Sequence, residues 1–66
     1  MAHKFKELLI MDISGVLIKR IKDPDMIPGI DDFIFHETEH FQVSSRVLDY
    51  EQDIVKLFAL KKSFKL

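Results

Sequence analysis

Cysteine and tryptophan are absent from this chain of 66 residues, and glycine and proline occur only twice each. The lack of cysteine excludes disulfide bonds and thiolate zinc sites as sources of stability. A domain of this size buries only about 60% of the surface that its unfolded chain exposes. It therefore needs a dense core, a histidine or carboxylate metal site, or self-association. The length is that of one small domain, residues 1–66.

Long apolar runs and a strong charge of either sign are also missing. The longest apolar run is four residues, at positions 8–11, whereas roughly 20 are needed to cross a bilayer. The first ten residues contain no secretory apolar region, so a cytoplasmic location without membrane contact is expected. A net charge of −1 argues against a dedicated polyanion-binding protein, because phosphate neutralisation dominates nucleic-acid affinity.

Two hairpins are indicated by β-branched, apolar runs on either side of short polar breaks. Residues 41–48 and 54–60 flank the polar cluster 49–53, which is typical of a β-hairpin. Residues 5–13 and 16–21 flank Ser14-Gly15, where glycine can adopt a positive φ in a tight turn. A helical stripe over residues 5–21 is the alternative, and the central Ser14-Gly15 disfavours it.

The segment KDPDMIPGI, residues 22–30, separates these hairpins. Its two prolines cannot lie in a central strand, so we expect a loop in which Met26 and Ile27 tuck under the sheet. Extended structure restarts at residues 31–35, and a polar turn follows at residues 36–39. We expect a frayed start at residues 1–4 and a solvated end at residues 61–66. The pattern predicts an all-β fold: a small five-stranded meander barrel with one central proline-containing loop.

The order of these segments carries a resemblance. A first hairpin, then IPGIDDFIF, then FQVSSRVLDYEQDIVKL is similar to small SH3-like β-barrel proteins of uncharacterised function in bacteria and phages. In those proteins a proline, a glycine, an acidic residue and an apolar run precede a long final hairpin. The resemblance covers most of the chain. It implies an SH3-like barrel and no particular activity.

Residues 36–40 read His-Glu-Thr-Glu-His, the H-E-x-x-H zinc signature of metallopeptidases. That motif requires a helix, which places both imidazoles on one face. Here phenylalanines alternate with other residues on either side of the motif, as in strands. We therefore expect a turn with two exposed histidines. The alternatives are adventitious or intermolecular metal binding by His36 and His40 and a metal-dependent hydrolase at the same two histidines.

Asp12-Ile13-Ser14-Gly15, after an apolar run, resembles the nucleophile loop of haloacid-dehalogenase-type phosphatases. In that family the first aspartate, here Asp12, would accept the phosphoryl group. Ser14 stands where the family has its second aspartate, and such enzymes need a large α/β domain that a chain of this length cannot supply. We expect a hairpin turn at Asp12, no enzymatic activity and no cofactor.

Charge and aromatic residues are unevenly distributed along the chain. Residues 32–53 hold six acidic side chains against Arg46 alone, whereas residues 54–66 hold four lysines and no acid. In a hairpin these segments lie side by side, which predicts intramolecular charge complementarity. Tyr50 is expected to be exposed. Phenylalanine is the natural core material of so small a domain, and the predicted core aromatics are Phe33, Phe35, Phe41 and Phe58.

Several strands are apolar on both faces, which is more than a small barrel interior can hold. Exposed apolar patches usually mark protein interfaces. We therefore expect a non-enzymatic interaction module that binds a protein partner or itself, as a homo-oligomer. Nucleic-acid binding by the lysine-rich final strand is the alternative. The predicted binding residues are Ile54, Lys56, Phe58, Leu60, Lys61, Lys62 and Tyr50.

Overall fold

The computed structural model describes residues 3–63, which form five β-strands and no helix. In chain order the strands are β1 (Glu7–Asp12), β2 (Leu17–Lys22), β3 (Phe33–His36), β4 (Glu39–Asp49) and β5 (Ile54–Lys62). They form one sheet in the order β2-β1-β5-β4-β3. The β1–β5 pair is parallel and the other neighbours are antiparallel. The sheet curls strongly into a half-barrel.

The predicted all-β fold with five strands is confirmed. Each strand of the sheet neighbours the next strand in the chain, except that β2 and β3 form the two edges and β1 pairs with β5. This is the order of a meander barrel that is open between β2 and β3. The expected full closure is absent there, because β2 and β3 do not pair within residues 3–63. The loop between them, residues 23–32, is hydrogen-bonded at one end to the residue before β1 and at the other end to β4. The Asp23 N–H donates to the Lys6 carbonyl (2.8 Å), and the Val43 N–H donates to the Asp32 carbonyl (2.9 Å).

The core lies on the concave face of the sheet. Successive side chains of a strand leave opposite faces, and the parallel register sets Leu8 beside Val55 and Ile10 beside Leu57. These four side chains are buried, and Leu57 and Val55 have no exposed surface. Phe5, Phe41, Val43 and Ala59 are also buried. Four isoleucines pack against this core from β2, β3 and the loop: Ile18, Ile21, Ile27 and Ile34.

Three of the four phenylalanines predicted for the core lie outside it: Phe33 and Phe35 are exposed, and Phe58 alternates with the buried residues of β5 and points outward. Phe41 is buried and Phe58 half-buried, whereas Phe33 and Phe35 are 56% and 64% exposed. The reason is the β3–β4 register, in which Ile34 lies opposite Phe41 and takes the inward position. Alternation then points the neighbours of Ile34 outward.

The prediction that Met26 and Ile27 tuck under the sheet is correct for one of the two residues. Ile27 packs against the core, but Met26 is 79% exposed. The predicted termini also differ in part. The imidazole Nε2 of His3 lies 2.7 Å from Oδ1 of Asp53, and β5 extends through Lys62. Residues 1–2 and 64–66 of these predicted termini lie outside the described residues.

A β-bulge in β4 contributes to the curl of the sheet. The register with β5 shifts between Val43 and Ser45, so that Ser44 is the extra residue. Bulges bend a strand and increase its local twist. The Ser44 hydroxyl donates to the Phe58 carbonyl across the pair at 3.0 Å. This side chain therefore supplies a donor at the point where the regular ladder is interrupted.

Candidate functional site

The outward face of the sheet collects the apolar side chains that the core does not use. On β5, the central strand, Ile54, Phe58 and Leu60 alternate with the buried residues and therefore point outward. Ile54 and Phe58 are half-buried, and Leu60 is 37% exposed. Because β5 has β1 on one side and β4 on the other, this row lies at the middle of the outer face.

The structure brings together five of the seven predicted binding residues. Lys56 and Lys62 share the outer face with the three apolar side chains of β5 by alternation. Lys61 leaves the opposite face, and its Nζ lies 3.1 Å from Oε1 of Glu39. That ion pair joins the ends of β4 and β5, in agreement with the expected charge complementarity of the hairpin.

Tyr50, the seventh predicted residue, lies away from the β5 row. It follows β4 in the turn of the hairpin and is 59% exposed, as predicted. Its ring lies 4.9 Å from the imidazole of His3 and 5.3 Å from the ring of Phe5, centroid to centroid. These contacts close one end of the core, so Tyr50 has a packing role.

Other strands add outer-face residues that were not predicted. Register places Met11 of β1 beside Phe58, and Leu17 of β2 beside Met11. Val47 of β4 lies opposite Lys56. The local signal for these residues was their alternation with core positions, but their assembly into one surface depends on the parallel β1–β5 pair. Leu9 of β1 lies beside Lys56, and Phe33 and Phe35 point outward from β3. We define the outer apolar face as Leu9, Met11, Leu17, Phe33, Phe35, Val47, Ile54, Phe58 and Leu60.

The charge of the outer face is opposite in sign to that of the chain. The register directs four strand cations outward against two acids, a net charge of 4 − 2 = +2. One acid is partly neutralised, because Nε of Arg20 lies 3.4 Å from Oε2 of Glu7. The six residues are Arg20, Lys22, Lys56, Lys62, Glu7 and Asp49.

The His36–His40 segment forms a hairpin and not a helix. His36 ends β3 and pairs with Glu39, while His40 pairs with Phe35. Positions 36 and 40 therefore leave opposite faces of the two-stranded ladder. The imidazole of His40 lies against the Phe35 ring, 4.6 Å between centroids. Among residues 3–63, no group of three or more histidine or acidic side chains is placed to hold a metal ion.

Asp12 closes the β1–β2 turn. Its Oδ1 accepts hydrogen bonds from the Ser14 hydroxyl (2.7 Å), the Ser14 N–H (2.9 Å) and the Val16 N–H (2.9 Å). The bond from the Ser14 hydroxyl, followed by that from the Val16 N–H, holds the pKa of the Asp12 carboxyl below its usual range. Gly15 in the same turn has a φ of +95°. The hairpin interpretation of this motif is therefore confirmed.

Comparison with known proteins identifies no relative of this chain. No family model, curated protein or solved structure matches the chain. A search of the described residues for a helix long and apolar enough to span a membrane finds none.

Proposed function

We propose that this protein is a small, non-enzymatic interaction module that binds a protein partner through its outer apolar face and also associates with itself. The observation that carries the proposal is the exposed apolar surface of the sheet. Leu17 and Val47 are each 47% exposed, and they flank the half-buried centre formed by Met11 and Phe58. Contiguous apolar patches on a folded chain usually mark protein interfaces.

We further propose that the half-barrel is of the SH3-like type and that the protein is cytoplasmic. Five short strands, a long final hairpin and the pairing of β1 with β5 support the SH3-like assignment. The central loop with Pro24 and Pro28 lies where the open seam separates β2 from β3.

Affinity capture with a matched pair of variants tests the outer face. The test variant is Val47→Lys with Leu60→Lys, which places two charges on the outer apolar face. The control is Met26→Lys with Ile30→Lys, since these loop side chains are as exposed or more so but lie off the sheet. A protein retained by wild type is purified, and its affinity for all three chains is measured by calorimetry.

We expect the Val47→Lys, Leu60→Lys variant to bind at least about tenfold more weakly than wild type, because interface affinity is concentrated in a few central residues. The loop control should bind like wild type. Equal affinity of the two variants for the purified partner would overturn the role of the outer face.

A second candidate function is binding of single-stranded nucleic acid on the same face. The observation that favours it is the outward charge of +2 with Phe35 exposed on β3, because such proteins combine cations with stacking aromatics. Fluorescence anisotropy with labelled RNA and DNA oligonucleotides tests it. Affinity should fall steeply with added salt and should be lost in the Lys56→Glu, Lys62→Glu variant. No binding at low salt would exclude this function.

A further inference from the structure

The two edge strands of the half-barrel border an apolar groove. Among the strands of residues 3–63, β2 pairs only with β1, and β3 pairs only with β4. Between them lies a groove of about 150 Å³. It is lined by Ile10, Ile18, Lys19, Ile21, Ile34, Phe35 and His36. Open strand edges beside apolar side chains form a surface to which a further strand can be added.

The charges on the two edges are of opposite sign. The six residues of β2 include Lys19, Arg20 and Lys22 and no acid. β3 itself, Phe33–His36, has no acidic residue, but its flanking positions carry Asp31, Asp32 and Glu37, and residues 31–37 include no lysine or arginine. The residue that follows β2, Asp23, adds one acid to that flank. Charges of one sign on an edge strand prevent its pairing with an identical edge. Two β2 strands therefore repel each other, whereas a β2 edge and a β3 edge attract.

Most of these charges are available for an intermolecular contact, although Oδ2 of Asp32 accepts a hydrogen bond of 2.6 Å from the Gly29 N–H. Within residues 3–63, Lys19 and Lys22 form no ion pair, and neither do Asp31 and Asp32. Arg20 contacts Glu7 at 3.4 Å, and this guanidinium remains about half exposed. The seam of one copy thus presents both members of a complementary pair of edges.

We propose that two copies of this chain associate seam to seam, with β2 of each copy pairing antiparallel to β3 of the other. The inference rests on the self-association part of the proposed function and assigns it to the strand edges. Since β1 and β5 are parallel and the other pairs antiparallel, β2 and β3 run in opposite directions. A two-fold axis parallel to the strands, placed along the seam, therefore creates both intermolecular pairs at once.

Side-chain orientation selects the register of the new pair. Ile21 and Ile34 both face the groove and pack on the core, so they lie opposite each other across the intermolecular ladder. Arg20 then lies opposite the exposed ring of Phe35 of the partner chain. In the same register, Arg20 is diagonal to Glu37, a separation that long side chains can reach. Lys22 is likewise diagonal to Asp31, whereas Asp23 continues the register opposite Asp32. The groove is covered, and its rim is neutralised in part.

Cysteine cross-linking between two different variants tests the arrangement. The natural chain has no cysteine, so each variant carries a single thiol. Arg20→Cys labels β2 and Phe35→Cys labels β3, and each retains Lys19 and Lys22. The two variants are studied separately and as a mixture, with a short bismaleimide followed by denaturing electrophoresis. We expect a covalent dimer in the mixture and only monomer with either variant alone.

Charge reversal with a matched control gives a second measurement. The Lys19→Glu, Lys22→Glu variant changes the β2 edge. The Lys4→Glu, Arg46→Glu variant makes the same change of net charge at two exposed residues outside β2 and β3. Sedimentation velocity over a concentration series measures the dimer dissociation constant. We expect the edge variant to raise this constant at least about tenfold, because Lys22→Glu places a negative charge diagonal to Asp31 and Lys19→Glu removes a further cation from the β2 edge. The control should dimerise like wild type.

The outcomes separate this proposal from the function proposed above. A wild-type dimer without cross-linking in the mixture, or equal cross-linking of either variant alone, overturns the β2–β3 seam and leaves self-association standing. A strict monomer at all concentrations overturns self-association and the seam together. Neither result affects the calorimetric comparison of the outer-face variants with a protein partner.

Discussion

Leu57 and Leu60 provide the sharpest test of the fold, because they are the same residue type on opposite faces of β5. Leu57 has no exposed surface and lies in the core beside Ile10. Leu60 is 37% exposed on the outer face. Replacing each by alanine removes the same three carbon atoms from two environments.

The expected magnitudes follow from burial. At about 0.8 kcal/mol per buried CH₂, Leu57→Ala loses roughly 2.4 kcal/mol of transfer free energy. The cavity that remains raises the total to about 3–5 kcal/mol. For Leu60 the transfer free energy scales with the buried fraction and comes to roughly 1.5 kcal/mol, and solvent fills the space that is left. A chain of this length has a free energy of unfolding of about 3–10 kcal/mol, so Leu57→Ala removes much of it.

Urea unfolding followed by far-UV circular dichroism, at low protein concentration, measures both changes. Leu57→Met is the control, because it preserves the side-chain volume and should lower the free energy of unfolding by less than about 1.5 kcal/mol. It shows whether the site tolerates a substitution that leaves no cavity. A free energy of unfolding lowered equally by Leu57→Ala and Leu60→Ala would refute the assignment of the two faces of β5.

Three further predictions concern the turns and can be checked by the same unfolding measurement. Gly15→Ala should lower the free energy of unfolding by about 1–2 kcal/mol, because Gly15 has a φ of +95° although the space for a Cβ is open. The control is Gly29→Ala, whose Cβ would lie 3.5 Å from the nearest atom; it should leave the free energy of unfolding nearly unchanged. Glu37→Asn with Thr38→Gly should stabilise the β3–β4 hairpin by about 0.5–1 kcal/mol, because φ is +50° and +64° at these positions; a loss of stability would contradict this turn geometry. The hydroxyl and N–H donors of the turn hold the pKa of the Asp12 carboxyl low, so its contribution is complete above the ordinary carboxyl pKa and is lost as the pH falls through the lowered value. Asp12→Asn should therefore lose less stability than wild type when acidified below about pH 4, and an unchanged acid profile would show that Asp12 contributes nothing.

Local patterns were sufficient to predict the hairpins. The polar cluster after residue 48 and Ser14-Gly15 are turn signals, and each was found between the strands it was expected to join. Phe33 and Phe35 show where such patterns fail. Their strand alternates phenylalanine with Ile34 and His36, so both faces have apolar candidates. Only the pairing of Ile34 with Phe41 decides which face is buried.

The candidate site was predicted in part for the same reason. Five of its residues lie on β5, where alternation with Val55 and Leu57 identifies the outward positions within one strand. Met11, Leu17 and Val47 join them through the register of three strand pairs. The pairing register of two strands that are far apart in the chain cannot be read from the sequence of either strand alone. The opening between β2 and β3 was missed because the pairing of these two strands depends on the arrangement of the whole sheet.

The parallel β1–β5 pair has a consequence for the order in which the chain can fold during synthesis. Glu7 pairs with Ile54, so β1 cannot form its parallel pair until β5 has been synthesised. Until β5 emerges, the chain offers two separate hairpins, β1–β2 and β3–β4, and isolated hairpins are marginally stable in water. Long-range pairings of this kind also close slowly. The sheet is thus completed only after translation of its central strand, and the nascent chain exposes Leu8 and Ile10 until then.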